Sequence, residues 1–335
     1  MAKLPPIYKE HGKTYHADTC RPLVEAVAAG RIRLEALARG SYPGRRLHGA
    51  ALGGVSSVGF WDATQEQDWG LDSHRNEGVE FTFLESGSMP FAVGDQRCVL
   101  QPDDLTITRP WQPHRVGDPH VGIGRLHWLI LDVGVRRPHQ KWKWPSWIVL
   151  TKEDLDALTA MLRQNERPVW RANAEIRRCF QRIAAAVEHD RDGDHVSRLA
   201  LHLNELFVLV HELLREREIA LDESLTSSRR SVELFLADVR DNCAEPWTLP
   251  IMAKQCGMGA TRFTHYCKQI TNVAPMQYLN RCRVEAAAKL LTGKPRMSVT
   301  EIAFACGFSS SQYFATVFRR QYGCSPRTYR SRSTS

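Results

Sequence analysis

No two of the nine cysteines in this 335-residue chain stand in C-x-x-C spacing, and their number is odd. Both facts argue against a cysteine zinc site and against a disulfide framework. Cys20, Cys98, Cys179, Cys243, Cys256, Cys267, Cys282, Cys306 and Cys324 are expected as reduced thiols, several on apolar helix faces. No apolar run approaches the roughly 20 residues that cross a bilayer. The opening MAKLPPIYKE has no apolar core of a secretion signal. A cytoplasmic protein without a membrane partner is the expectation. Hydrophobic residues make up 43% of the chain and charged residues 24%, which places it among globular proteins rather than disordered ones. Its length suits two or three domains.

Acidic charge is scarce at one end. From Ser228 to Ser335 there are 16 Lys and Arg against 6 Asp and Glu, a net +10; the whole chain carries +8, so the remainder carries −2. A basic segment beside a near-neutral body is the electrostatic footprint of nucleic-acid binding, although many solvated faces are also basic.

That segment contains a repeat. LPIMAKQCGMGATRFTHYCKQITNVAPMQY runs from Leu249 to Tyr278, and VTEIAFACGFSSSQYFATVFRRQYGCSPRTY from Val299 to Tyr329. Ala253, Cys256 and Gly257 match Ala303, Cys306 and Gly307 at an offset of 50. Phe263, Pro275 and Tyr278 match Phe314, Pro326 and Tyr329 at 51. Each copy predicts a short helix, a glycine turn and a second helix. Thr248 and Ser298 suit the N-cap position, and Pro250 suits a helix start. Gly257 and Gly307 can take the positive φ that ends the first helix. Phe263, Tyr266 and Cys267, and then Phe314, Val317 and Phe318, supply the i, i+3, i+4 apolar stripe of the second. Asn272 and Gly323, each followed by proline, suit the closing cap. Plain structural hairpins would satisfy the turns alone. The repeat, the small alanine ahead of each turn and the basic charge favour two helix-turn-helix units instead. Between them, Met276 to Leu291 predicts one continuous helix, which would present two reading helices to successive major grooves about 34 Å apart.

These residues, and SVTEIAFACGFSSSQYFATVFRRQYGCSPRTYR above all, resemble the C-terminal signature of the AraC/XylS family of bacterial transcription regulators. The resemblance covers about Ser228–Arg330. It implies a seven-helix DNA-binding domain with two helix-turn-helix units, acting on promoter or operator DNA together with RNA polymerase. The family's base-contacting positions fall on Thr261, Thr264 and His265, and on Ser311, Gln312 and Thr316. Gln suits a bidentate contact to adenine, and Thr can offer its methyl to thymine. Arg262, Lys268, Ser310, Arg319 and Arg320 are expected to meet phosphates, which position a protein without reading sequence. Gly259 departs from the pattern, standing where the family usually has a serine N-cap for its first reading helix.

Before Thr151 the pattern changes. In VEFTFLESGSMPFAVGDQRCVLQPDDLTITRPWQPHRV, Val79, Phe81 and Phe83 alternate with Glu80 and Thr82, Gly94–Asp95 marks a hairpin, and Leu105 alternates with Ile107. Short punctuated strands indicate a β-sandwich or small barrel. PWQPH (Pro110 to His114) and RLHWLILDV resemble the cupin-type sensor domain of the same family. The barrel is expected over about 30–150, helices over about 151–217, a polar linker over 218–230 and the DNA-binding domain over 231–335. The fold class is therefore α+β in two domains: a cupin-like β-barrel with packed helices, then an all-α double helix-turn-helix. The 151–217 helices carry the stripe Leu199, Leu203, Leu206, Val210 and Leu213 or Leu214. The family uses such helices for a homodimer; burial against the chain's own barrel is the competing reading.

His74, Arg75, Glu80, Trp111, His114 and Trp128 are the expected binding residues for a small polar effector, a sugar in the first instance. Sugars take planar bidentate polar groups and an aromatic face. Five of the nine tryptophans, Trp61, Trp69, Trp111, Trp128 and Trp142, lie between positions 61 and 142, where core packing is the competing role for each. No cofactor is expected. His74, Asn76, Glu80 and Gly87 also fit the cupin spacing H-x-H-x3-E-x6-G, with Asn in place of the second His. With His114 they would suit iron, manganese or nickel. The alternative class is accordingly a metal-dependent cupin enzyme, an oxygenase or isomerase, fused to a DNA-binding domain. The principal reading is a non-enzymatic, ligand-responsive transcription regulator, an activator.

Overall fold

The structure is a computed structural model and describes residues 6–10, 13–16, 20–47, 52–94, 96–136, 140–190, 193, 195–217, 219–294 and 296–333. The described residues form two compact units, one within 1–136 and 140–222 and one within 223–335.

The first unit opens with an antiparallel hairpin, β1 (Pro6–Glu10) and β2 (Lys13–His16), and a short helix, α1 (Arg21–Ala28). Then come β3 (Arg33–Ala38), β4 (Arg45–Arg46), β5 (Val55–Ala63), β6 (Val79–Gly87), β7 (Met89–Val93), β8 (Gln96–Leu100), β9 (Asp104–Thr108), β10 (His114–Val116), β11 (Gly124–Leu131) and β12 (Val169–Arg171). They make a seven-stranded sheet in the order β12-β9-β6-β11-β5-β3-β4 and a three-stranded sheet in the order β10-β7-β8. Pairing is antiparallel except for β3 with β4. The β7–β8 turn has Gly94 at positive φ; Asp95, the other half of the expected hairpin signal, lies outside the described residues.

The large sheet is buried on both faces, so its alternation sorts two kinds of core rather than core from solvent. Val79, Phe81, Phe83, Leu129 and Leu131 face α2 (Lys152–Arg163), α3 (Ala174–His189) and α4 (Val196–Glu216). Leu84, Leu126, Trp128 and Ile130 face inward and share a core with Met89, Phe91, Val93, Leu100 and Val116 of the small sheet. Glu80 and Thr82 fall on that inner face by the same period of two. The expected α4 stripe exists: Leu199, Leu203, Leu206, Val210, Leu213 and Leu214 are all buried. They are buried against the unit's own sheet, so this stripe is not the surface for a second copy.

The second unit holds seven α-helices among the described residues: α5 (Ser228–Asp241), α6 (Leu249–Gln255), α7 (Ala260–Thr271), α8 (Pro275–Gly293), α9 (Val299–Ala305), α10 (Ser311–Tyr322) and α11 (Pro326–Ser333). The segment expected as linker ends earlier than 230. Ser227 caps α5 by accepting from the Arg230 amide, and Val232, Phe235, Leu236 and Val239 bury one face of that helix. A linker reading misses this because Ser227 looks like one more polar residue in SLTSSRRS. The two repeats have separate cores, one around Phe235, Phe263 and Leu279 and one around Ile302, Phe314 and Phe318. Helix α8 supplies both.

Candidate functional site

Each reading helix is placed by local chemistry. Thr248 accepts from the Ile251 amide and starts α6; Ser298 accepts from the Glu301 amide while the Glu301 carboxylate takes the Ser298 amide, a reciprocal cap for α9. Both first helices end at a glycine in positive φ, Gly257 at 67° and Gly307 at 83°, a conformation that costs other residues strain. The second helices then differ. Ser310 caps α10 through the Tyr313 amide, whereas Gly259 at the start of α7 offers no side chain. Both close on a left-handed residue, Asn272 and Gly323.

Phe263 and Cys267 of α7, and Phe314 and Phe318 of α10, are committed to the core. That leaves Thr261, Arg262, His265 and Lys268 exposed and Thr264 half-buried on α7. On α10, Gln312, Thr316, Arg319 and Arg320 are exposed and Ser311 is half-buried. Of the predicted contact residues, Ser310 has its hydroxyl oxygen engaged in the cap, and the Thr316 hydroxyl donates to the Gln312 carbonyl at 3.1 Å. The Arg262 guanidinium sits 5.8 Å from the Tyr266 ring. Tyr313 was not among the predicted residues. It is exposed and accepts from Asn280 of α8 at 2.9 Å; nothing in the repeat pattern marks that cross-helix bond.

The first unit has a cavity between its sheets, lined by Trp61 and Trp128, by Leu71, Leu126 and Ile130, and by a polar edge that includes His74 and Glu80. It is narrow, about 40 Å³, room for about three water molecules. The two indoles stand 5.9 Å apart. Trp128 donates to Ser57 at 2.8 Å, while the buried indole N–H of Trp61 has no hydrogen-bond partner among the described residues.

Glu80 is the centre of the polar edge. Asn76 donates to Oε2 at 2.6 Å, His114 Nε2 lies 2.7 Å from the same oxygen, and Thr82 donates to Oε1 at 3.3 Å. Burial alone would raise this carboxyl, but the charge and hydrogen bond of His114, then His74 and Thr82, outweigh it and hold the group below the usual carboxylate range. His74 and His114 pack with ring centroids 4.3 Å apart. Each places Nδ1 against a carbonyl, of Asp72 at 2.9 Å and of Gln112 at 3.0 Å. A carbonyl only accepts, so Nδ1 carries the hydrogen in both rings, and His114 Nε2, 2.7 Å from the Glu80 carboxylate, carries a second one and donates it; a metal bound there would have to displace that proton. Ligand atoms of His74, Glu80 and His114 all lie within 4.8 Å of one another, and two imidazoles with a carboxylate fit a divalent transition metal. Asn76 does not fit the ligand role considered for it: its amide oxygen faces the Tyr42 hydroxyl at 3.3 Å and its nitrogen holds Glu80.

Behind this edge lies a network that the spacing of motifs did not reveal. Glu77 is buried and accepts from Tyr42 at 2.6 Å and Ser56 at 2.5 Å. Of the predicted effector residues, His74, Glu80 and Trp128 line the cavity, His114 stands behind Glu80 and His74 without lining it, and two others lie away from it. Trp111 packs on the helix-side core and donates to the Val135 carbonyl at 2.7 Å; its backbone is left-handed, with φ 64°, which no spacing rule anticipates. Arg75 is half-exposed and does not line the cavity. The five tryptophans are likewise divided by the sheet: Trp61, Trp69 and Trp128 inside, Trp111 and Trp142 on the helix side.

Comparison with known proteins agrees with this division. The helix-turn-helix domain family matches residues 252–332 and the cupin domain family residues 63–130. The chain is 32% identical over 161 residues to the HTH-type transcriptional activator RhaS of Escherichia coli O139:H28, covering 48% of this chain and 56% of that protein. RhaS of Salmonella paratyphi A aligns with the same identity and coverage. The chain thus spans about half the length of the curated relatives it matches. Among solved structures, the DNA-binding domain of the global transcriptional factor AdpA, in complex with a target DNA, is 32% identical over 30% of this chain and 90% of its own, with a TM-score of 0.29.

Proposed function

We propose that this chain, as a member of the AraC/XylS family, is a sequence-specific DNA-binding transcription regulator, an activator, whose cupin unit senses a small polar effector. The observation that carries the proposal is the pair of exposed faces on α7 and α10. Each stands after a glycine turn, each is rooted in its own core, and both lie in a segment of net charge +10. Phosphate contacts from Arg262, Lys268, Ser310, Arg319 and Arg320 would fix register. Thr261, Thr264, His265, Ser311, Gln312 and Thr316 would read bases. Duplex DNA and RNA polymerase are the partners this role requires, and the cytoplasm is its place. No helix among the described residues is long and apolar enough to cross a membrane. A homodimer would join through a surface other than the buried α4 stripe.

For the effector, paired indoles, an unsatisfied indole N–H and the Glu80–His74–His114 edge suit a small molecule with an apolar face and hydroxyl groups, a sugar being the first class to test. The cavity must widen to admit one, which would couple occupancy to the arrangement of the sheets. A second reading rests on the same trio: a divalent metal held by His74, Glu80 and His114, the site a cupin enzyme would need. Metal analysis of the purified chain separates the two. Stoichiometric transition metal supports the second reading, and a metal-free chain that melts higher with a sugar supports the first. The DNA-binding proposal is tested by footprinting the full chain on duplexes selected from a random library. It predicts two protected major-groove segments on one face, separated by about 10 base pairs; continuous or absent protection would refute it.

A further inference from the structure

The two helix-turn-helix units share α8, but a single helix does not by itself fix the rotation of what is attached to each end. A second connection exists. The loop between α5 and α6 lies directly on the α9–α10 turn: a Cβ added at Gly307 would stand 2.5 Å from the Ala244 carbonyl oxygen and 2.8 Å from its Cα. That loop is braced by the Trp247 indole donating to the Asn242 carbonyl at 2.8 Å. At the same seam, Arg283 of α8 is 8% exposed. Its Nε donates to the Cys243 carbonyl and its Nη2 to the Glu245 carbonyl, both at 2.8 Å, and its guanidinium lies 5.9 Å from the Phe308 ring. One planar fork therefore grips the loop that leads into the first helix-turn-helix while resting on an aromatic side chain of the second helix-turn-helix.

Energetics argue that this is not a device for stability. Among the described residues Arg283 has no carboxylate partner, and burying a cation on carbonyls alone costs desolvation that a well-packed apolar side chain would avoid. What the guanidinium adds is geometry, since its donors are fixed in a plane and in direction. Asn280, three residues earlier on α8, makes a second bond across to α10 through Tyr313.

We infer that Arg283 is a positioning residue that clamps the two helix-turn-helix units at one separation, so that the spacing of DNA segments read by α7 and α10 is set by this seam and not by α8 alone. The inference rests on the DNA-binding reading proposed above. It predicts that the seam controls tolerance to spacing rather than affinity for either segment.

The test uses the full chain and duplexes selected from a random library. Dissociation constants are measured for the selected duplex, for versions with one or two base pairs inserted between the protected segments, and for a duplex keeping one segment. Each inserted pair turns the second segment by about 34–36°. The wild-type chain should lose about tenfold or more on the first insertion. Arg283→Met should lose less than about threefold, with single-segment affinity unchanged. Gly307→Ala, which forces the loop and turn apart, should flatten the profile in the same direction. If Arg283→Met no longer unfolds cooperatively, Phe308→Leu, which removes the ring beneath the guanidinium, takes its place. A cooperatively folding variant with the wild-type spacing profile overturns the clamp alone. A wild-type chain that selects no duplex overturns the DNA-binding reading and the clamp together.

Discussion

Gln312→Ala isolates base reading from folding. Gln312 stands in the first turn of α10, exposed, and its side chain makes no hydrogen bond among the described residues. Alanine is a good helix former, so truncation should leave stability within about 0.5 kcal/mol of wild type. A bidentate contact from glutamine to adenine contributes about 1–3 kcal/mol of discrimination. Its loss should therefore weaken the selected duplex by about 5- to 150-fold while leaving random duplex almost untouched, because phosphate contacts carry that binding. The assay is fluorescence anisotropy on both duplexes at one salt concentration, with thermal unfolding as the control. Equal loss on both duplexes, or no loss on either, would refute the assignment of Gln312 to the base-reading face.

The neighbouring positions give contrasting outcomes. Ser310→Ala removes the α10 cap and should cost about 1 kcal/mol of stability, visible in denaturant unfolding; an unchanged midpoint would mean the cap contributes nothing. Gly259→Ser places a cap where α7 has none. The site has open space and a φ of −74°, so the gain should be a few tenths of a kcal/mol, and a loss would show an unsuspected clash. Glu85 is held down to about 2, chiefly by the hydrogen bond from His127, against the opposing effect of burial. Its folded value lies below its unfolded one. Its contribution to stability is therefore full above the ordinary carboxylate range and lost as pH falls towards 2. Glu85→Gln should flatten stability over that window, and an unaltered acid limb would remove Glu85 from the account. Glu80→Ala should abolish any sugar-induced rise in melting temperature, whereas Arg75→Ala should leave it intact, since Arg75 does not line the cavity.

The C-terminal unit was legible because its constraints are local. Turn glycines, caps and a 3.6-residue stripe are each set within one helix-turn-helix, and the repeat states them twice. Residues placed by long-range contact were not legible. Arg283 reads as one basic residue on an amphipathic helix, yet it is buried by a loop 38–40 residues away. In the N-terminal unit the alternation of β6 located Glu80 on the inner face, where its ligand atoms lie within 4.8 Å of those of His74 and His114. Trp111 failed because a left-handed turn sits between strands and sends its side chain to the helix-side core. Tyr42, Ser56 and Glu77 were missed because sequence separation hides a buried network whose members come from a loop, a strand and another loop. The α4 stripe shows the remaining ambiguity: periodicity gives an apolar face without saying whether the chain itself or a second copy covers it.

The most direct test of the central claim is the affinity of the full chain for its selected duplex and for random duplex, measured as a function of salt. The account predicts tighter binding to the selected duplex by about 1,000-fold or more. It also predicts a logarithmic salt slope near −0.9 per phosphate neutralised for both duplexes. Binding that ignores salt, or that does not distinguish the two duplexes, would contradict it.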